Sequence, residues 1–280
     1  MMFNYFFGSD TRSLGFLEIV NKKVPTIKVI TLPHSPTGRG RKLKPNPVEV
    51  YCVNNNITFE YYDSKETYKD MSIGLCVSFG KIFSEAFLEK NNKIFNIHLS
   101  LLPSYRGPSP VENSILNGET TVGYTIFQID NKIDTGNIVF QESFKIDNDT
   151  YASSFYEDVN SLFLKKYDQI YENLNKDVVI NNYDISTTNK FIKNDYNITE
   201  RSLDTAKKMI RAFDVIGPAF VNHNNNFIKI HKYSDKEHEF PIELSDGVLY
   251  PSIITPEGKK KMFIEDFIRG IKWTSARLLN

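Results

Sequence analysis

Cysteine is nearly absent. There are two in 280 residues, Cys52 and Cys76, far apart and without metal-ligand spacing. That argues against a disulfide framework or a thiolate metal site and fits two buried, reduced thiols. Histidine is scarce as well, with five copies, so no metal site is expected. Net charge is also lacking, since 34 basic residues balance 34 acidic ones. No global field draws the chain to nucleic acid or to a membrane, and any such attraction must come from a local patch. No stretch approaches the length of a membrane span. The opening MMFNYFFGSD has neither a basic n-region nor a long apolar run. A strand is expected there rather than a signal peptide, and a cytoplasmic protein without membrane partners is the reading that follows.

What the chain does have is apolar mass: 40% hydrophobic and 13% aromatic residues, enough for real cores. Its length fits one large or two modest domains. Short apolar runs at Asn4 to Phe7 and from Val24 (VPTIKVITL) flank a segment with helical spacing at Leu14, Phe16, Leu17 and Val20. This β-turn-α-β opening starts a parallel sheet. IGLCVSF (73–79), IFNIH (94–98), TVGYTIFQI (121–129) and NIVFQESF (137–144) read as further strands. A short helix is expected around Ser84 to Leu88 and another at Pro110 to Leu116, with proline in its first turn. Asp149-Thr150 are placed to cap a long helix carrying Phe155, Val159, Leu162, Phe163 and Ile170 on one stripe.

Beyond that, composition shifts. Residues 181–200 are polar and irregular and read as a linker. A helix from about Leu203 to Phe213 is followed by AFV, FIKIHKY, GVLYPSII and KMFIEDF, read as strands of a small, mostly β module. The expected organisation is an α/β, Rossmann-like domain over 1–182, a linker over 183–202 and a C-terminal OB-like β-barrel over 203–280.

The segment IFNIHLSLLP (94–103) places an amide and an imidazole inside an apolar strand. Positions i and i+2 of a strand share a face, so Asn96 and His98 project together. They stand at the carboxyl end of the strand, where open α/β sheets place their ligands. Asp134 follows on the DNKIDTGN loop, with Gly136 allowing close backbone approach. An Asp brought near His98 favours the imidazolium and fixes its orientation. Taken singly, each residue reads as a satisfied core or turn residue; their combination makes them candidates.

That combination resembles the folate-dependent formyltransferase family. NIHLSLLPSYRGPSP followed by IDTG matches its N-x-H strand end, S-L-L-P loop, R-G-x-x-P turn and later D-x-G. The resemblance implies 10-formyltetrahydrofolate as the formyl donor and Asn96, His98 and Asp134 as the catalytic residues. Ser100, Leu101, Leu102 and Pro103 are implied to form the folate-side loop, joined by Phe79 and Gly80 of VSFGK. In such chemistry an amine attacks the formyl carbon and creates an oxyanion. Asn96 can donate to that oxygen, and His98 can stabilise it or protonate the leaving nitrogen.

The acceptor is addressed by LPHSPTGRGRKLKPNPVEV (32–50). It carries Arg39, Arg41, Lys42 and Lys44 with no acid before Glu49. Lysine and arginine supply the phosphate contacts of nucleic-acid binding. The stretch resembles the basic insertion with which family members acting on methionyl-tRNA reach the acceptor stem. The resemblance therefore implies initiator methionyl-tRNA as the partner of a monomeric enzyme. MIRAFDVIGPAF (209–220) and TPEGKKKMFIEDFIRG (255–270) resemble the tRNA-holding C-terminal module of the same enzymes. A nucleotide-linked amino sugar is the alternative acceptor. Glycinamide ribonucleotide transfer, folate deformylation and non-catalytic RNA binding are more remote readings.

Overall fold

The computed structural model describes residues 3–37, 42–91, 93–174, 176, 184–223 and 226–277. Two compact units emerge. The first comprises Met1–Pro110, Thr121–Lys145 and Tyr156–Thr188, and the second comprises Val111–Thr120, Ile146–Phe155 and Asn189–Asn280.

The first unit opens with β1 (Tyr5–Phe7), α1 (Leu14–Lys23) and β2 (Lys28–Thr31), the expected β-α-β start. A hairpin of β3 (Ser35–Thr37) and β4 (Lys42–Lys44) leads into α2 (Pro47–Asn54) and β5 (Phe59–Tyr61). Then follow β6 (Gly74–Cys76), α3 (Glu85–Lys90) and β7 (Ile94–His98). After α4 (Pro110–Leu116), β8 (Thr121–Gln128) and β9 (Ile138–Lys145) complete the sheet, and α5 (Ala152–Asn173) follows. The seven-stranded order is β5-β2-β1-β6-β7-β8-β9. The first five strands in that order pair in parallel, and β8 and β9 add antiparallel.

Helix α2 was left unassigned in the sequence, yet its start carries three ordinary signals. Asn46 accepts from the N–H groups of Val48 and Glu49, Pro47 occupies the first helical position, and Glu49 lies in the first turn. Asp149 and Thr150, expected to cap α5, sit just outside it. The Thr150 hydroxyl accepts from Asp147 N at 3.0 Å, closing the preceding turn, and the helix begins at Ala152. Of the expected apolar stripe, Phe155, Val159, Phe163 and Ile170 are fully buried, while Leu162 is only half-buried. Against the central strands β1 and β6 packs an aromatic core. Phe79, Phe83 and Phe87 stack in sequence at 5.5 and 5.1 Å, and Tyr62 meets all three rings edge-on.

The second unit contains α6 (Leu203–Ala212), capped by Ser202. An antiparallel sheet follows, made of β10 (Ala219–His223), β11 (Asn226–Ser234), β12 (Ile242–Glu243), β13 (Val248–Pro256) and β14 (Met262–Phe263). It is the OB-like module expected from the turn-separated apolar runs. One expectation is corrected. KMFIEDF is not a strand throughout, because β14 stops at Phe263 and α7 (Ile264–Arg277) begins at once. Ile264, Phe267 and Ile268 follow helical spacing, and Glu265 and Asp266 complement the positive end of the helix dipole.

Candidate active site

From β1 the chain winds outward to β2 and β5, then returns to the other side of β1 at β6. The strand order therefore reverses between β1 and β6. In open α/β sheets the crevice at such a reversal, beyond the carboxyl ends of the strands, is the ligand site. On one side of this end Ser9 Oγ donates to Phe79 O at 2.8 Å, tying the loop after β1 to the loop after β6. The Phe79 side chain belongs to the aromatic core and is 2% exposed, so the part of it available to a ligand is backbone. Gly80 beside it is exposed.

The next strand, β7, carries the two candidate side chains. Its register pairs Asn96 with Cys76 of β6 and His98 with Thr125 of β8. The Asn96 side chain has no hydrogen-bond partner among the described residues and is half-buried. It is a donor held open on the same strand face as His98. His98 is buried, and its Nε2 lies 2.8 Å from the carbonyl oxygen of Tyr105. A carbonyl only accepts, so Nε2 carries the hydrogen. Nδ1 is the nitrogen left facing the carboxylate, 3.5 Å from Asp134 Oδ2. The same oxygen accepts from Gly107 N at 2.7 Å. Burial, and secondarily the Asp134 charge, push the Cys76 thiol well above its usual range; this places the carboxylate near the end of β6.

Three backbone features hold this constellation. Asp134 itself adopts φ +52°, and Ser78, Tyr105 and Ser109 also have positive φ. Four non-glycine residues in that region, in the loops after β6, β7 and β8, mark a strained site. Gly136 is required by space: a Cβ there would stand 1.7 Å from Gln128 O. Gly107 is required by both conformation, with φ +105°, and space, with a Cβ 2.8 Å from Thr188 O.

The S-L-L-P loop is pinned from beneath by a buried threonine. Thr125 Oγ1 donates to Ser100 O at 2.7 Å and accepts from Leu102 N at 3.1 Å. Gln141 Nε2 donates both to Thr125 Oγ1 and to Leu102 O, at 2.9 and 3.0 Å. Ser100 Oγ donates to Ser104 O at 2.7 Å. Leu101 and Leu102 are buried, Pro103 is half-buried, and the Leu102–Pro103 peptide is cis. Of the implied catalytic set, the structure brings His98 and Asp134 together and places Asn96 on the same face. Sequence reasoning missed Thr125, Gln141, the Tyr105 carbonyl and the Gly107 N–H. The first two are ordinary polar residues within long strands, and the last two are backbone groups with no side-chain signal.

The basic stretch is a hairpin, with Ser35 paired to Lys44 and Thr37 to Lys42. Lys44 is exposed. Arg39 and Arg41 lie outside the described residues. Among the described residues no group of three or more histidine, cysteine, aspartate or glutamate side chains is gathered as a metal site. No described helix is long and apolar enough to cross a membrane.

Known proteins similar to this chain include formyltransferases. The methionyl-tRNA formyltransferase of Flavobacterium johnsoniae is 27% identical over 302 aligned positions, which cover 96% of each chain. That of Endomicrobium trichonymphae is 40% identical over 149 positions, covering 50% of this chain and 48% of the other. The crystal structure of WlaRD, a sugar 3N-formyl transferase studied in the presence of dTDP and 5-N-formyl-THF, superposes with a TM-score of 0.62. It is 25% identical, and the match covers 93% of this chain and 99% of that one. Residues 16–169, more than half of the chain, match the family model for formyl transferase, and the chain belongs to that family.

Proposed function

We propose that this chain transfers the formyl group of 10-formyltetrahydrofolate to the α-amine of initiator methionyl-tRNA. The observation that carries the chemistry is the buried His98–Asp134 pair beside an unengaged Asn96 amide, at the sheet's reversal point. In the reaction the amine nitrogen attacks the formyl carbon, a new C–N bond forms, and the bond to the folate nitrogen breaks. The amine loses one proton and the folate nitrogen gains one, so the exchange balances. Asn96 donates to the oxyanion that develops at the formyl oxygen. Nε2 of His98 is engaged by Tyr105 O, so Nδ1 is the nitrogen that exchanges a proton with the reacting groups. Asp134, fixed by Gly107 N and beside that nitrogen, receives the proton from the amine and passes it to Nδ1, which gives it to the leaving folate nitrogen. The S-L-L-P loop, set by Thr125, forms the folate side.

The acceptor assignment is supported by the basic hairpin and by the end-to-end match to a methionyl-tRNA formyltransferase. Salt dependence tests it. If the four basic residues contact phosphates, log affinity for the tRNA falls with log salt at a slope of about −3 to −4. A flat response contradicts tRNA as acceptor. A second reading, formyl transfer to a nucleotide-linked amino sugar, is favoured by the whole-length similarity to WlaRD. That reading gives the basic hairpin no task.

A further inference from the structure

The two feet of the basic hairpin are tied together twice. The first tie is Asn46. Its Nδ2 donates to Leu32 O at 2.6 Å, while its Oδ1 accepts from Thr31 Oγ1 at 3.0 Å and caps α2. The second tie is a side-chain cluster that the catalytic chemistry does not use. His34, immediately before β3, places Nε2 2.8 Å from Oε1 of Glu49 in the first turn of α2. Tyr61, at the end of β5, donates its hydroxyl to the same oxygen at 3.0 Å. The two rings meet edge-on at 5.9 Å.

The burial within this cluster is lopsided. His34 and Tyr61 are surface groups, with the His34 side chain 41% exposed and Tyr61 44%. Glu49 is only 8% exposed, and its Oε2 is buried without a partner among the described residues. An ordinary surface histidine gains little from a nearby carboxylate, because water competes. Here the carboxylate has left water, and among the described residues the imidazole and phenol are its side-chain partners. Removing one leaves a buried carboxylate poorly satisfied, which is far more costly than losing an exposed pair. His34 is therefore held in one place, and the strand that starts at Ser35 inherits that direction.

We propose that His34 is a positioning residue for the acceptor: anchored on Glu49 and Tyr61, it fixes the direction in which the β3–β4 hairpin presents its basic residues. The proposal rests on the tRNA reading of that hairpin. The test is steady-state kinetics of His34→Ala, of Lys42→Ala/Lys44→Ala, and of the triple variant, with initiator methionyl-tRNA and 10-formyltetrahydrofolate. His34→Ala is expected to raise KM for the tRNA about tenfold, the loss of one charge-assisted bond. It should leave kcat and the folate KM within about twofold. His34→Gln, which keeps a donor, should recover part of the loss. In the Lys42→Ala/Lys44→Ala background the His34→Ala effect should shrink clearly, because only Arg39 and Arg41 are left to direct. A full, additive His34 effect in that background overturns the proposal, as does a fall in kcat at constant KM. If the lysine substitutions alone leave the tRNA KM unchanged, the tRNA reading of the hairpin fails and the proposal with it. Should His34→Ala fold poorly by thermal melting, Tyr61→Phe, which removes a single hydroxyl, carries the same expectations at smaller size.

Discussion

His98 has Nε2 committed to a carbonyl and Nδ1 turned to a carboxylate, and that asymmetry sets the residue-scale expectations. With Nε2 held by Tyr105 O and Nδ1 beside Asp134, the imidazole cannot turn without losing both partners. Asn96→Ala removes the oxyanion donor, and kcat should fall about 100- to 1000-fold with KM for folate little changed. A comparable rise in KM with kcat retained would make Asn96 a binding residue. Thr125→Val tests the support beneath. It orphans Leu102 N and frees Ser100 O, so unfolding should become easier by about 1–3 kcal/mol, read by denaturant titration. A third expectation concerns His231, on β11 of the second unit. Burial, then Lys261 and Lys229, lower its pKa to about 4 from 6.5. Its folded form stays neutral where the unfolded chain takes up a proton. Its stabilisation is therefore complete above pH 6.5 and lost as pH falls toward 4. After discounting for partial exposure the loss is on the order of 1 kcal/mol. His231→Gln should narrow the Tm difference between pH 7.5 and pH 4.5. At this scale the sequence revealed Asn96, His98 and Asp134, because strand period and the D-x-G turn leave side-chain signals. Thr125 and Gln141 left none, since any polar residue on a long strand looks alike before the loop above it is placed.

Among the elements, the turn that carries Asp134 is built around one glycine. A Cβ at Gly136 would collide with Gln128 O, so Gly136→Ala must move the turn and with it the carboxylate. Activity should collapse while far-UV circular dichroism stays native; unaltered kcat would show that the turn does not set the carboxylate. Strands β1, β2, β6, β7, β8 and β9 and helices α1 and α5 were legible because their apolar spacing is regular. Helix α2 and strand β5 were not. Helix α2 follows directly on the basic stretch, and β5 is FEY with no buried residue to mark it. KMFIEDF was misread because two strand residues run directly into a helix and the apolar spacing changes period without a breaker residue.

On the scale of the whole molecule, a net charge of zero conceals a local concentration. The balance of 34 against 34 says nothing of the stretch 39–44, where Arg39, Arg41, Lys42 and Lys44 stand without an acid. The fold class was legible from the order of strands and helices, because β-α-β repetition leaves few alternatives. The acceptor was legible through that basic stretch and the segments 209–220 and 255–270, since the catalytic residues are shared by formyl transfer to any amine. The most direct measurement is release of folate from 10-formyltetrahydrofolate with initiator methionyl-tRNA and with a nucleotide amino sugar, run in parallel with His98→Ala. Turnover with the tRNA alone, lost in the variant, is the predicted result. Turnover with the sugar alone, or turnover that survives His98→Ala, would contradict it.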